Sequence, residues 1–243
     1  MRIKLKQLLV VLLIVFLTFS PLLILSVQCS YTSRLYPTND SWVEAEFPND
    51  NHGSDTSLRV RSDTRTRRSY LKFDLNSIPS GKSITSVKLY LYCTYSDANP
   101  SVEIYAHETG DNWNEANITW NNAPAVGSSI TSISVMGTGK YYCWDITSYG
   151  QTQYSGDKIL SVVVKLLLDD PTQDNPNLSR YFASKEYSNT AQDPYLEVIY
   201  ENAAPTASFT YSPTYPVAND TVTFNATTSY DPCLLYTSDA ADE

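Results

Sequence analysis

The chain is poor in the residues that most often carry chemistry. Two histidines, His52 and His107, stand among 243 residues, and neither has the spacing of a metal-ligand pair. No nucleophile–histidine–acid pattern and no glycine-rich phosphate loop is present, so the sequence gives no positive sign of catalysis. Basic charge is also scarce: 17 Lys and Arg against 26 Asp and Glu leave a net charge of −9. That balance excludes a nucleic-acid partner, whose binding rests on neutralising phosphates, and suits a soluble extracellular protein. Long helical periodicity is missing as well. One short helix is expected over residues 147–153, with Asp145 or Thr147 able to cap it.

What is present is β-rich: 19 tyrosines, with frequent Thr, Ser, Asn and Val. Alternating or apolar runs recur at 41–45, 57–61, 67–74, 83–95, 101–108, 130–135, 141–146, 159–168, 180–184 and 195–200, separated by Pro, Gly and Asn turn signals. Many short strands with regular turns predict an all-β fold, a two-sheet β-sandwich of jelly-roll-like form, closed by the run at 195–200.

Both ends are set apart. Arg2, Lys4 and Lys6 followed by an apolar run read as a signal peptide over residues 1–29, cut near Cys29 or Ser30; an uncleaved membrane anchor is the rival reading. The expected location is secreted or cell-surface, without membrane contact after cleavage. The tail at 233–243, CLLYTSDAADE, resembles the in-frame translation of a sequencing adapter, which implies that the natural protein continues beyond Pro232. Removing both ends discards three basic residues (Arg2, Lys4, Lys6) and three acidic ones (Asp239, Asp242, Glu243), so the net charge stays at −9. Four cysteines become two. Parity places Cys93 on an inward face and Cys143 on an outward one, which disfavours a bridge.

The stretch SLRVRSDTRTRRSYLKFDL, residues 57–75, holds most of the arginine and reads as two strands folding back on each other. Alternation points Leu58, Val60, Leu71 and Phe73 one way, and Arg59, Arg61, Tyr70 and Lys72 the other. With Arg68, these cations form a candidate carbohydrate-binding face: arginine forks suit carboxylate or sulfate, and a tyrosine ring packs on a sugar. The competing reading has them satisfying local acids such as Asp55, Asp63, Asp74 or Glu186. Trp42, Trp113, Trp120 and Trp144 read as packing residues, and Lys185-Glu186 as structural. Two oxygen-rich loops, Asn49/Asp50/Asn51/Asp55 and Asp169/Asp170/Asp174, leave calcium open, although neither has EF-hand spacing and no cofactor is expected.

Ordered motifs carry a resemblance. Pro48-Asn-Asp-Asn-His-Gly-Ser54 precedes Leu58-Arg59-Val60 and Arg68-Ser-Tyr-Leu-Lys-Phe-Asp-Leu75. Trp113-Asn-Glu115, Ile118-Thr-Trp-Asn-Asn-Ala-Pro124, Asp145-Ile-Thr147, Phe182-Ala-Ser-Lys-Glu186 and Pro194-Tyr-Leu196 follow. Over residues 30–201 the chain resembles the DNRLRE family, or carbohydrate-binding module family 96, which includes disaggregatase-related repeats; His52 stands where an aromatic is usual. Residues 202–232 form a linker and a partial second immunoglobulin-like β unit. Pro205-Thr-Ala-Ser-Phe-Thr-Tyr211 and Ser229-Tyr-Asp-Pro232 there resemble the start of a PKD domain. The resemblances imply a non-catalytic module for an acidic cell-wall or matrix polysaccharide, held with other domains in a larger surface protein. A structural spacer or adhesin module, and a module appended to a polysaccharide lyase or hydrolase, are the alternatives.

Overall fold

The computed structural model describes residues 30–63, 65–97, 101–167, 178–202, 208–218 and 220–229. The expectations for residues 1–29 and 233–243, and for the loop with Asp169, Asp170 and Asp174, fall outside them.

The strands are β1 (Ser30–Leu35), β2 (Asn39–Glu44), β3 (Ser57–Val60), β4 (Arg67–Asp74), β5 (Ser83–Ser96), β6 (Val102–Thr109), β7 (Val126–Val135), β8 (Lys140–Asp145), β9 (Ile159–Leu166), β10 (Arg180–Ala183) and β11 (Tyr195–Glu201). They form a six-stranded sheet ordered β1-β11-β5-β10-β3, with β8 also paired to β5, and a five-stranded sheet ordered β2-β4-β9-β6-β7. The pairings are antiparallel. This is the expected all-β sandwich. β1 was not anticipated, because the polar SYTSRL shows no alternation, yet it pairs with β11 along its whole length.

The core follows from period-two alternation. Val87, Leu89, Leu91 and Cys93 of β5 face Leu71 and Phe73 of β4, Leu160, Val162 and Val164 of β9, Trp144 and Phe182, all essentially buried. Each such side chain contributes about 1.5–3 kcal/mol on burial. A second, smaller cluster lies on the other side of the five-stranded sheet. There Val43, Tyr70 and Val163 are covered by Trp113 and Ile118 of the β6–β7 loop.

Helix α1 (Thr147–Ser155) runs two residues longer than expected. Its N-cap residue, Ile146, offers no side-chain bond. Instead Asp145 accepts from the Thr147 N–H at 3.0 Å and hydroxyl at 2.6 Å, and these bonds hold its carboxyl below the usual range. The helix approaches β5 so closely that a Cβ on Gly150 would meet Val87 at 2.6 Å. Cys93 is buried and Cys143 half-buried, both as free thiols; burial pushes Cys93 up to about 11. A small separate pair, β12 (Thr210–Ser212) with β13 (Thr223–Asn225), has every position exposed.

One local expectation is corrected. β3 and β4 do not form a hairpin. Among the described residues their backbones pair at one bridge, between Arg61 and Arg67, whose groups exchange bonds of 3.2 and 3.0 Å, and the Ser69 hydroxyl donates to the Arg59 carbonyl at 2.8 Å. Beyond it β3 pairs with β10 in one sheet and β4 with β2 and β9 in the other. Alternation specifies which face of a strand is buried, but not which strand lies beside it.

Candidate functional site

The turn between β3 and β4 carries the chain from one sheet to the other, so the cationic face expected from alternation is divided. Arg59 and Arg61 remain on the outer side of the six-stranded sheet, since Leu58 and Val60 point inward. Arg68, Tyr70 and Lys72 lie on the outer side of the five-stranded sheet, opposite Leu71 and Phe73.

On that second side the expected tyrosine contact is corrected. Tyr70 is fully buried; its hydroxyl donates to the Pro124 carbonyl at 3.1 Å and its ring meets Trp113 edge-on. It has no surface to offer a sugar. The Lys72 ammonium sits 4.8 Å over the Trp113 ring and donates to the Trp113 carbonyl, and burial lowers its pKa. The Arg68 guanidinium lies 4.3 Å over Trp120. Trp42, Trp113 and Trp144 are buried as expected; Trp120 is half-buried at the edge of the small cluster.

The first side is built around Trp42. β2 is the edge of one sheet and β3 the edge of the other, and Trp42 closes the seam between them, 1% exposed. Its Nε1 donates to Asp55 Oδ2 at 2.9 Å. The His52 imidazole stacks on it at 3.6 Å. Arg59 and Arg67 lie over the indole at 4.5 and 4.8 Å. Arg67 reaches Glu44 at 3.0 Å, and Arg59 lies 3.7 Å from Asp55. Arg61 donates from Nε to Asp63 at 2.7 Å, which raises its own pKa. Burial pushes the Asp63 carboxyl upward, but the bonds from Arg61 and the Arg65 N–H outweigh it and hold it low. Arg59 still keeps 29% of its side chain exposed. Its guanidinium also lies 5.0 Å over Tyr181, and Tyr181 packs at 4.7 Å against Tyr95, which is 45% exposed. A register shift between Tyr181 and Phe182 brings Tyr95 to that face.

The same sheet face continues into an aromatic row that sequence reasoning missed. Tyr90 stacks on Tyr195 at 4.7 Å, Tyr141 stands edge-on to Tyr195 and Tyr92 at 5.3 and 5.2 Å, and Arg34 lies 4.1 Å over Tyr195. Its signal was the Tyr90–Tyr92 spacing of two, read only as β composition.

A third arrangement gathers residues from four sequence motifs. Gly53 is packed so tightly on the Trp113-Asn-Glu115 turn that a Cβ would lie 2.2 Å from the Glu115 carbonyl oxygen. Asn51 donates to the Glu115 and Ile118 carbonyls, both at 2.8 Å. This docking brings Asp40, Glu115 and Glu186 together. Lys185 places its ammonium 2.9 Å from Glu115 and also pairs with Glu186. Its backbone N–H donates to Asp40 Oδ2 at 2.9 Å. Burial, opposed by that bond and reinforced by the two glutamates, pushes Asp40 up to about 8. In the Asn49–Asp55 loop, Asn49 accepts from Asn121, and Asp55 is taken by Trp42, His52 and Arg59.

The outward face thus joins cations to aromatic rings on a rigid sheet, an arrangement suited to sugar rings and their acidic groups. Comparison with known proteins points to carbohydrate binding. A gellan lyase from Bacillus sp is 29% identical over 132 residues, covering 52% of this chain and 5% of the lyase, so the chain spans a small part of that relative. The model of carbohydrate-binding module family 96 matches residues 31–200, and the chain belongs to that family.

Proposed function

We propose that this carbohydrate-binding module recognises an anionic extracellular polysaccharide through the outer face of its six-stranded sheet, with Arg59, Arg61 and Tyr181 at the centre. The observation that carries the reading is the Arg59 guanidinium, partly exposed between Trp42 and Tyr181 and beside Arg61. Flanking aromatic groups hold the fork in place, so little rotamer freedom is lost when a carboxylate is bound. Tyr95 and the partly exposed Tyr90, Tyr92 and Tyr141 extend the surface for further sugar rings. The basic, apolar leader supports export to the cell surface. The resemblance of one stretch to a gellan lyase supports a place beside a polysaccharide-degrading domain, with binding and not cleavage as this module's role.

A glycan array carrying uronate, sulfated and neutral polymers, gellan among them, tests the reading. Binding to acidic polymers that weakens with salt is expected; binding to neutral polymers alone would overturn the anionic assignment. One observation favours a second reading, a structural spacer. Arg59, Arg61 and Arg67 each have an acid of their own fold within reach. A module that binds no polymer on the array, but loses stability when these arginines are removed, fits that alternative.

A further inference from the structure

Asp40, Glu115 and Glu186 come from β2, the β6–β7 loop and the segment after β10, and one carboxylate oxygen of each lies within 4.8 Å of the others. Calcium–oxygen distances of about 2.3–2.6 Å put opposite ligands of one ion about 4.6–5.2 Å apart, so the three oxygens fit around a single ion. An acidic cluster alone would not identify a site. The decisive feature is Asp40, 1% exposed, whose Oδ1 has no hydrogen-bond partner. The Glu186 Oε2 is likewise buried without one. A buried carboxylate oxygen left in this state costs free energy unless a proton or a cation comes to it. Three carboxylates here face one ammonium, that of Lys185. A pocket opens beside them, lined by Asn39, Asn51, Ser54 and Asn114 as well as Glu115 and Glu186, with room for coordinating water.

We propose that Asp40, Glu115 and Glu186 form a binding site for a hard divalent cation of calcium's size, from which the Lys185 ammonium withdraws when the ion enters. The ion ties together three segments distant in sequence, and its binding stabilises the fold by mass action.

The test is titration of the full chain, freed of metal with chelator, with calcium chloride, followed by calorimetry and thermal melting. One saturable site per chain is expected, with a melting temperature that rises as calcium is added. Glu115→Gln and Glu186→Gln, both at partly exposed positions, should each weaken affinity at least about tenfold, because fewer ligand charges lower calcium affinity. Lys185→Met removes the competing ammonium and should tighten binding. No heat and no melting shift up to about 10 mM calcium, well above the range of weak extracellular sites, would overturn the proposal. So would calcium binding that both glutamine variants retain unchanged.

Discussion

The two ends of β2 handle buried charge in opposite ways. At one end Glu44 turns inward and meets Arg67 at 3.0 Å and His52 at 3.4 Å. At the other, Asp40 turns the same way and meets the Lys185 N–H, with its Oδ1 unmet. Between them Trp42 fills the seam where the sheets' edge strands pass. The difference teaches that the arginine cluster has two tasks. Its inner members neutralise acids that the seam buries, while Arg59 leans outward with Tyr181 and stays partly exposed. The Asp40 end has acids in excess, and is built to receive a cation, not to present one.

The contrast can be broken most forcefully at its pivot. Trp42→Ala removes the ring on which His52, Arg59 and Arg67 pack and should cost about 3–5 kcal/mol in urea unfolding; a loss below 1 kcal/mol would mean that the seam is not held there. Arg67→Ala leaves Glu44 buried without its guanidinium and should cost about 3 kcal/mol by the same measurement. Asp40→Asn sharpens the comparison from the other side. In chelator at pH 7 it should change stability by less than about 1 kcal/mol, because burial pushes the Asp40 carboxyl up to about 8 and little charge is lost; a loss as large as that of Arg67→Ala would make the two ends alike. The smallest effect concerns pH. Arg61 and the Arg65 N–H lower the Asp63 pKa, so the stabilisation is present above the unfolded value near 3.8 and is lost as pH falls through the lower folded value. Asp63→Asn should therefore flatten part of the fall in melting temperature between about pH 5 and about pH 2.

The strands were legible because one face of each is buried: the alternation of Val87, Leu89, Leu91 and Cys93 marks β5 without reference to any other strand. Pairing was not legible, as β3 and β4 demonstrate, since two adjacent alternating runs satisfy the same pattern whether they share a sheet or turn a corner. The site was half legible. Parity put Arg59 and Arg61 on the outward side of β3, where the structure has them, but Tyr70 shared that parity with Lys72 and is nevertheless buried, because the β6–β7 loop folds over it. No periodicity announces such a cover. The acidic cluster was hidden for a related reason: Asp40, Glu115 and Glu186 are widely separated in sequence and meet only because Gly53 allows one loop to dock on another.

Affinity electrophoresis through gels containing gellan or another uronate polymer tests the central claim most directly. The account predicts that the full chain is retarded relative to a gel without polymer, and that Arg59→Ala abolishes most of the retardation while retaining a cooperative melt. Equal mobility with and without every acidic polymer, or full retardation of a folded Arg59→Ala variant, would contradict it.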